Sequence, residues 1–144
     1  MKRKFNVIFT VLLTLIMSVC MLVGCQKEEG NLKATIVEES EKMVVIQVDE
    51  VEGETTLLSV MQNLQTEGKL SFVVAGGMLT ELNGIANDAD YNPCWMLYTS
   101  DAELSNQEWG TVEYNGSVFG SAIVGMETLT VISGGYYVWS YQSF

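Results

Sequence analysis

Hydrophobic positions fall into short blocks along the chain, and their spacing turns helical once. Residues 34–37 and 43–48 are rich in β-branched side chains, and the polar run Glu38-Glu39-Ser40-Glu41-Lys42 separates them. Two such runs across a polar break predict a β-hairpin, which Glu52-Gly53-Glu54 closes. Over residues 55–66 the spacing changes. Leu57, Leu58, Val60, Met61 and Leu64 make one apolar stripe, with Ser59, Gln62, Asn63 and Gln65 opposite. That period predicts an amphipathic helix laid on a sheet. Thr55 or Thr56 supplies the N-cap, and Gly68 fits the C-terminal cap.

Beyond the helix the pattern returns to short strands. Residues 70–75 form one, ended by Gly76-Gly77. Residues 78–85 alternate loosely around Asn83-Gly84, a turn or bulge signal. A polar loop over 87–93 precedes an apolar strand over 94–98. Residues 111–114 and 117–119 flank Asn115-Gly116, which predicts a hairpin. Residues 129–132 and 136–141 flank Gly134-Gly135 and predict a last one. The final strand is apolar on both faces, so it belongs inside a sheet. No internal repeat is present. The expected fold is α+β: a small β-rich domain over residues 33–144, with one amphipathic helix packed on a sheet of short strands.

The first residues read differently. Lys2-Arg3-Lys4 is followed by an apolar run over 5–21 and then by Leu22-Val23-Gly24-Cys25. This three-part layout is that of a cleaved secretory signal, and the last four residues fit a bacterial lipoprotein. Cys25 would carry a diacylglyceryl group through its sulfur, and the small Gly24 would let a peptidase fit around the bond. The alternative is an uncleaved anchor of about 20 apolar residues, diluted here by Asn6, Thr10, Thr14 and Ser18. Either layout places the rest of the chain outside the cytoplasm. The expected organisation is a signal over 1–24, then lipidated Cys25 and a polar tether to residue 32. Acyl chains at Cys25 would tether the domain to the membrane surface.

Charge narrows the partners. Cleavage before Cys25 leaves four lysines against 18 acidic residues, a formal charge of −14, and residues 70–144 contain neither Lys nor Arg. Nucleic-acid binding needs a basic footprint and is excluded. With Cys20 in the signal and Cys25 lipidated, Cys94 has no partner, so no disulfide framework is expected. Beside Trp95 it is expected to pack as a small hydrophobe. The chain has no His. That removes Ser-His-Asp and Cys-His nucleophile systems and imidazole metal sites. No phosphate loop or dinucleotide fingerprint is present, and no carboxylate pair stands out. An enzyme is not expected, and no cofactor is required.

Asp88, Asp90 and Asn92 reproduce the first three ligand positions of a calcium loop. The match ends there, because Pro93 stands where Gly is wanted and Thr99 where Glu is wanted. Asp and Asn also favour turns in their own right.

Four segments, in order, resemble the transcobalamin-like C-terminal domain family. They are Thr56-Leu57-Leu58-Ser59-Val60-Met61, Gly77-Met78-Leu79-Thr80-Glu81-Leu82-Asn83-Gly84-Ile85, Trp95-Met96-Leu97-Tyr98, and the closing run from Gly125 through Gly134-Gly135-Tyr136-Tyr137-Val138-Trp139. The resemblance covers residues 55–144 and implies a small β-rich domain with one helix on a sheet. Residues 101–121 depart from it as an added hairpin carrying Trp109. In transcobalamins this domain covers one face of a corrinoid, and a larger helical domain absent from this chain holds the other.

Two functions then fit. One is a tethered binding module that captures a corrinoid and passes it to a membrane importer. The other is a cell-surface structural or interaction module without small-molecule cargo. Without His, a corrinoid would be gripped by aromatic and apolar contact, and Trp95, Tyr98, Trp109 and Tyr114 are the candidate residues. Trp109 leads, because a core role is least natural in its polar segment. Phe119, Tyr136, Trp139 and Tyr141 add further flat apolar surface, and an exposed cluster among these eight rings would favour the binding module, whereas burial of all of them would favour the second function.

Overall fold

The computed structural model describes residues 30–144; the leader, Cys25 and the tether as far as Glu29 lie outside the described residues. The first hairpin joins β1 (Leu32–Glu39) to β2 (Met43–Val51), antiparallel, with register shifts near Ala34 and Val37. Helix α1 (Leu57–Thr66) follows, then β3 (Phe72–Ala75), β4 (Met78–Leu82) and β5 (Ile85–Ala86). The rest is strand: β6 (Cys94–Thr99), β7 (Ser105–Tyr114), β8 (Ser117–Ala122) and β9 (Gly135–Gln142). This is the expected β-rich α+β domain, with one short helix among the described residues.

A six-stranded antiparallel sheet runs β1-β2-β9-β6-β8-β7, and β3-β4-β5 form a separate small sheet. The last strand takes the interior place its two apolar faces demand, between β2 and β6. Alternation sorts its side chains. Tyr137 and Trp139 join Val44, Ile46, Val48, Trp95 and Leu97 in the main core, whereas Val138 joins Val45 and Tyr98 on the opposite side.

The helix covers the first of these sides. Leu57, Val60, Met61 and Leu64 are buried, and the Thr56 side chain accepts from the Ser59 N–H at 3.3 Å. At the other end Gly68 takes φ +72°. Its N–H reaches the Gln65 carbonyl and that of Lys69 reaches Leu64, both at 2.9 Å. This doubly bonded C-terminal cap needs the left-handed conformation that glycine adopts freely.

Two expectations change. Residues 129–132 are not a strand of a last hairpin. They make a single bridge, Thr130 to Thr56, and the segment satisfies the start of the helix. The Leu57 N–H donates to the Leu129 carbonyl at 2.9 Å and that of Leu58 to Met126 at 3.0 Å. These are donors that a helix start leaves without internal partners. Strand β7 also begins at Ser105 rather than Thr111. Asn106 faces Ser121 and Thr111 faces Gly120, so residues 107–110 bulge out between adjacent partners.

The small sheet is tied to the large one through Trp95 and Tyr141, whose ring centroids lie 5.1 Å apart. The Trp95 indole N–H donates to Ile85 O at 2.8 Å and the Tyr141 hydroxyl to Ala86 O at 2.9 Å. Asn87 accepts from the Trp95 N–H at 2.9 Å and donates to Leu79 O at 2.8 Å.

Candidate functional site

The structure divides the four aromatic candidates. Trp95 lies on the helix side of the large sheet, 5% exposed, with its ring in the core and its N–H on Ile85. It cannot share a surface with Tyr98 and Tyr114, because the sheet stands between them. Tyr98 is on the open side, but only 1% exposed. Its hydroxyl is bonded to the Gln142 side-chain amide. It supports this side from below rather than offering a free ring. Tyr114 is half-buried there, its ring 6.1 Å from that of Tyr136. Trp109 sits on the β7 bulge and is 63% exposed.

The backbone of the bulge that carries Trp109 lies against this side at Gly110. A Cβ on Gly110 would stand 3.4 Å from the Tyr98 hydroxyl, so the bulge passes over Tyr98. A Cβ on Gly120 would meet Asn106 C and Gln107 N at 3.1 Å, so the bulged backbone also leans on β8. A side chain at Gly120 would require the bulged backbone to shift by a few tenths of an ångström.

Among the described residues, the open side has no second layer. Its buried residues are Val45, Tyr98, Phe119 and Val138, bordered by half-buried Met43, Met96, Val112, Tyr114 and Tyr136. All nine come from strands of the large sheet itself, and neither the helix nor the small sheet contributes. Phe119 stacks on Tyr136 at 6.0 Å with 14° between the ring planes. Sequence reasoning missed Met43 and Met96 as members of this surface. The available signal was parity along each strand, but using it requires knowing that β2, β9 and β6 are neighbours.

The Asp88-Asp90-Asn92 loop is built as turns. Asp88 Oδ1 accepts from the Asp90 N–H at 3.2 Å, and Asn92 Oδ1 accepts from the Phe144 N–H at 3.0 Å. Two of the three calcium-ligand oxygens expected here are therefore already engaged by backbone. Among the described residues no three His, Cys, Asp or Glu side chains gather as a metal site. Asp88 instead borders a cleft of about 310 Å³ against the small sheet, with Val73, Thr80, Glu81, Ala86, Asn87 and Tyr91. Another cleft, about 410 Å³, runs beside edge strand β1 from Thr35 to Glu39, opposite Lys69.

Neither of the perturbed groups suggests nucleophilic chemistry. Cys94 is buried and free, and burial pushes its thiol up, toward the protonated form. Burial also raises Tyr137; the hydrogen bond from the Ile132 N–H opposes the shift and the negative charge of Asp101 adds to it. No helix among the described residues is long and apolar enough to cross a membrane. No family model matches the chain, and no curated protein or solved structure matches it either.

Proposed function

We propose that the protein is an extracytoplasmic binding module, lipid-anchored at Cys25, whose open sheet side and β7 bulge hold a large flat ligand, a corrinoid, for delivery to a membrane importer. The observation that carries this reading is the placement of Trp109. The residue is 63% exposed on a bulge beside a sheet side that no other element among the described residues covers. One exposed indole and a sheet side with half-buried Met and Tyr suit a broad apolar ligand, with a few polar groups to orient it. The chain has no imidazole to offer cobalt, so the cobalt keeps its own lower base or a water. The protein binds the ring system and leaves it chemically unchanged.

Calorimetry of the mature protein with cyanocobalamin and with cobinamide tests this. Binding is expected for both, and Trp109→Ala should weaken it by about 2 kcal/mol, as for a binding hot spot. No heat with either ligand removes the corrinoid. It would leave the second reading, a cell-surface interaction module that presents the same side to a protein. That reading is favoured by the breadth of the surface and by the location of both described clefts elsewhere on the molecule.

A further inference from the structure

A second region of the molecule has a different chemistry. Strands β3, β4 and β5 place Val73, Glu81 and Ala86 side by side, since Val73 pairs with Glu81 and Glu81 with Ala86. This row faces away from the core that Leu79 and Leu82 enter. The loop over residues 87–93 rises beside it and closes the cleft of about 310 Å³ with Asp88 and Tyr91. That volume is at the lower end for small-molecule sites. Tyr91 is half exposed, and its N–H donates to Asp88 O at 2.9 Å.

We propose that this cleft binds a small free organic cation: an ammonium group, quaternary or primary, on a short apolar body. Glu81 and Asp88 supply two carboxylates, and neither has a cationic partner among the described residues. The one ion pair among the described residues joins Lys69 to Glu67 at 2.7 Å, and no Lys or Arg occurs over residues 70–144. Val73, Ala86 and the ring of Tyr91 supply apolar surface, and a ring face attracts an ammonium group. A divalent metal fits less well. Calcium wants six to eight oxygen ligands, whereas this cleft offers two carboxylates, and among the described residues no three His, Cys, Asp or Glu side chains gather. A quaternary ammonium group is weakly hydrated and needs no such shell, and a primary one can donate directly to the carboxylates. Either uses the charge of the carboxylates and the surface of the ring together.

The test is a titration of the ¹⁵N-labelled mature protein in a maltoside detergent with choline, followed by amide chemical shifts. Saturable shifts at Val73, Glu81 and residues 86–91 are expected. The neutral isostere 3,3-dimethylbutan-1-ol should bind about tenfold more weakly, and Glu81→Gln and Tyr91→Ala should each weaken choline by a similar factor. Both substituted side chains are solvent-accessible, and unchanged shifts elsewhere verify the fold. Absence of saturable shifts overturns the proposal, as does equal binding of the isostere. Calcium saturating the same amides at lower concentration than choline would make the cleft a metal site instead. Equal affinity for glycerophosphocholine would reassign it to a lipid headgroup, against the repulsion expected between phosphate and the two carboxylates.

Discussion

The indole N–H of Trp95 donates to the carbonyl of Ile85 at 2.8 Å, joining the large sheet to the small one. The bond explains why this tryptophan is 5% exposed and on the helix side. It also gives Trp95 a structural role that its sequence neighbourhood, shared with Tyr98, does not reveal.

Trp95→Phe keeps most of the ring but removes that donor, leaving the Ile85 carbonyl without it. A loss of about 1–2 kcal/mol is expected, and Trp95→Ala should cost about 3–5 kcal/mol through the cavity it leaves. Urea denaturation measures both. A Trp95→Phe protein as stable as the wild type would show that the bond between the sheets contributes nothing net.

Gly120→Ala tests the β7 bulge. The added Cβ would meet backbone atoms of Asn106 and Gln107 at 3.1 Å, and backbone gives way less easily than a flexible side chain. Overpacking of this kind costs about 1–3 kcal/mol. The strain should also displace the bulge, so the fluorescence of Trp109 should change in the native protein. Unaltered stability together with unaltered emission would show that the contact relaxes freely.

Some of this architecture is legible in local sequence. Both Asn-Gly pairs form turns with two positive φ angles: Asn83 at 48° and Gly84 at 82°, Asn115 at 48° and Gly116 at 76°. That is the geometry such pairs favour in hairpins. The stripe Leu57-Val60-Met61-Leu64 and the Gly68 cap likewise need only local information. Residues 129–132 mislead for a physical reason. Leu129 and Val131 are buried while Thr130 and Ile132 are exposed, the alternation of a strand, but the backbone bonds of this segment serve the helix start and Thr55. The polar start of β7, Ser105-Asn106-Gln107-Glu108, carries no alternation, because an edge strand interrupted by a bulge does not need one. The candidate sites were less legible still. Trp109 stands out as an aromatic in a polar segment. The open side and the Glu81–Asp88 cleft are products of strand register, which links residues far apart in the chain.

Stability should fall in alkali. Cys94 and Tyr137 both have folded pKa values raised by burial, so the folded protein holds these protons to higher pH than the unfolded chain does. The stabilisation is fully present below the unfolded values. It is lost as pH rises from about 8.5 for the thiol and about 10 for the phenol, through the raised folded values. Cys94→Ala should flatten the first part of the decline and Tyr137→Phe the second. At neutral pH Tyr137→Phe should also cost about 1 kcal/mol, because the Ile132 N–H loses its acceptor at 2.9 Å. A flat stability profile from pH 8 to 11 would contradict the assignment.

The anchor has its own test. If Cys25 carries the lipid, Cys25→Ser should accumulate as an uncleaved precursor in the membrane fraction, since processing follows modification of the thiol. Mass spectrometry of the native protein should find a mature chain that begins with acylated Cys25. A mature N-terminus at any other residue removes the lipoprotein assignment and leaves the binding surfaces untouched.

Trp109 separates folding from binding. The residue is 63% exposed, and the bulge reaches Tyr98 through the backbone at Gly110 rather than through the indole. Trp109→Ala should therefore leave stability within about 0.5 kcal/mol of wild type, as for other exposed positions. Tyr114→Ala should be different. That ring lies 6.1 Å from Tyr136 in a partly buried cluster, and an aromatic pair adds about 0.5–1.5 kcal/mol beyond the area it buries. Thermal unfolding of the two variants side by side makes the comparison. If Trp109→Ala unfolds as readily as Tyr114→Ala, the indole is holding the bulge in place, and its exposure is a consequence of the fold rather than a surface kept for a ligand.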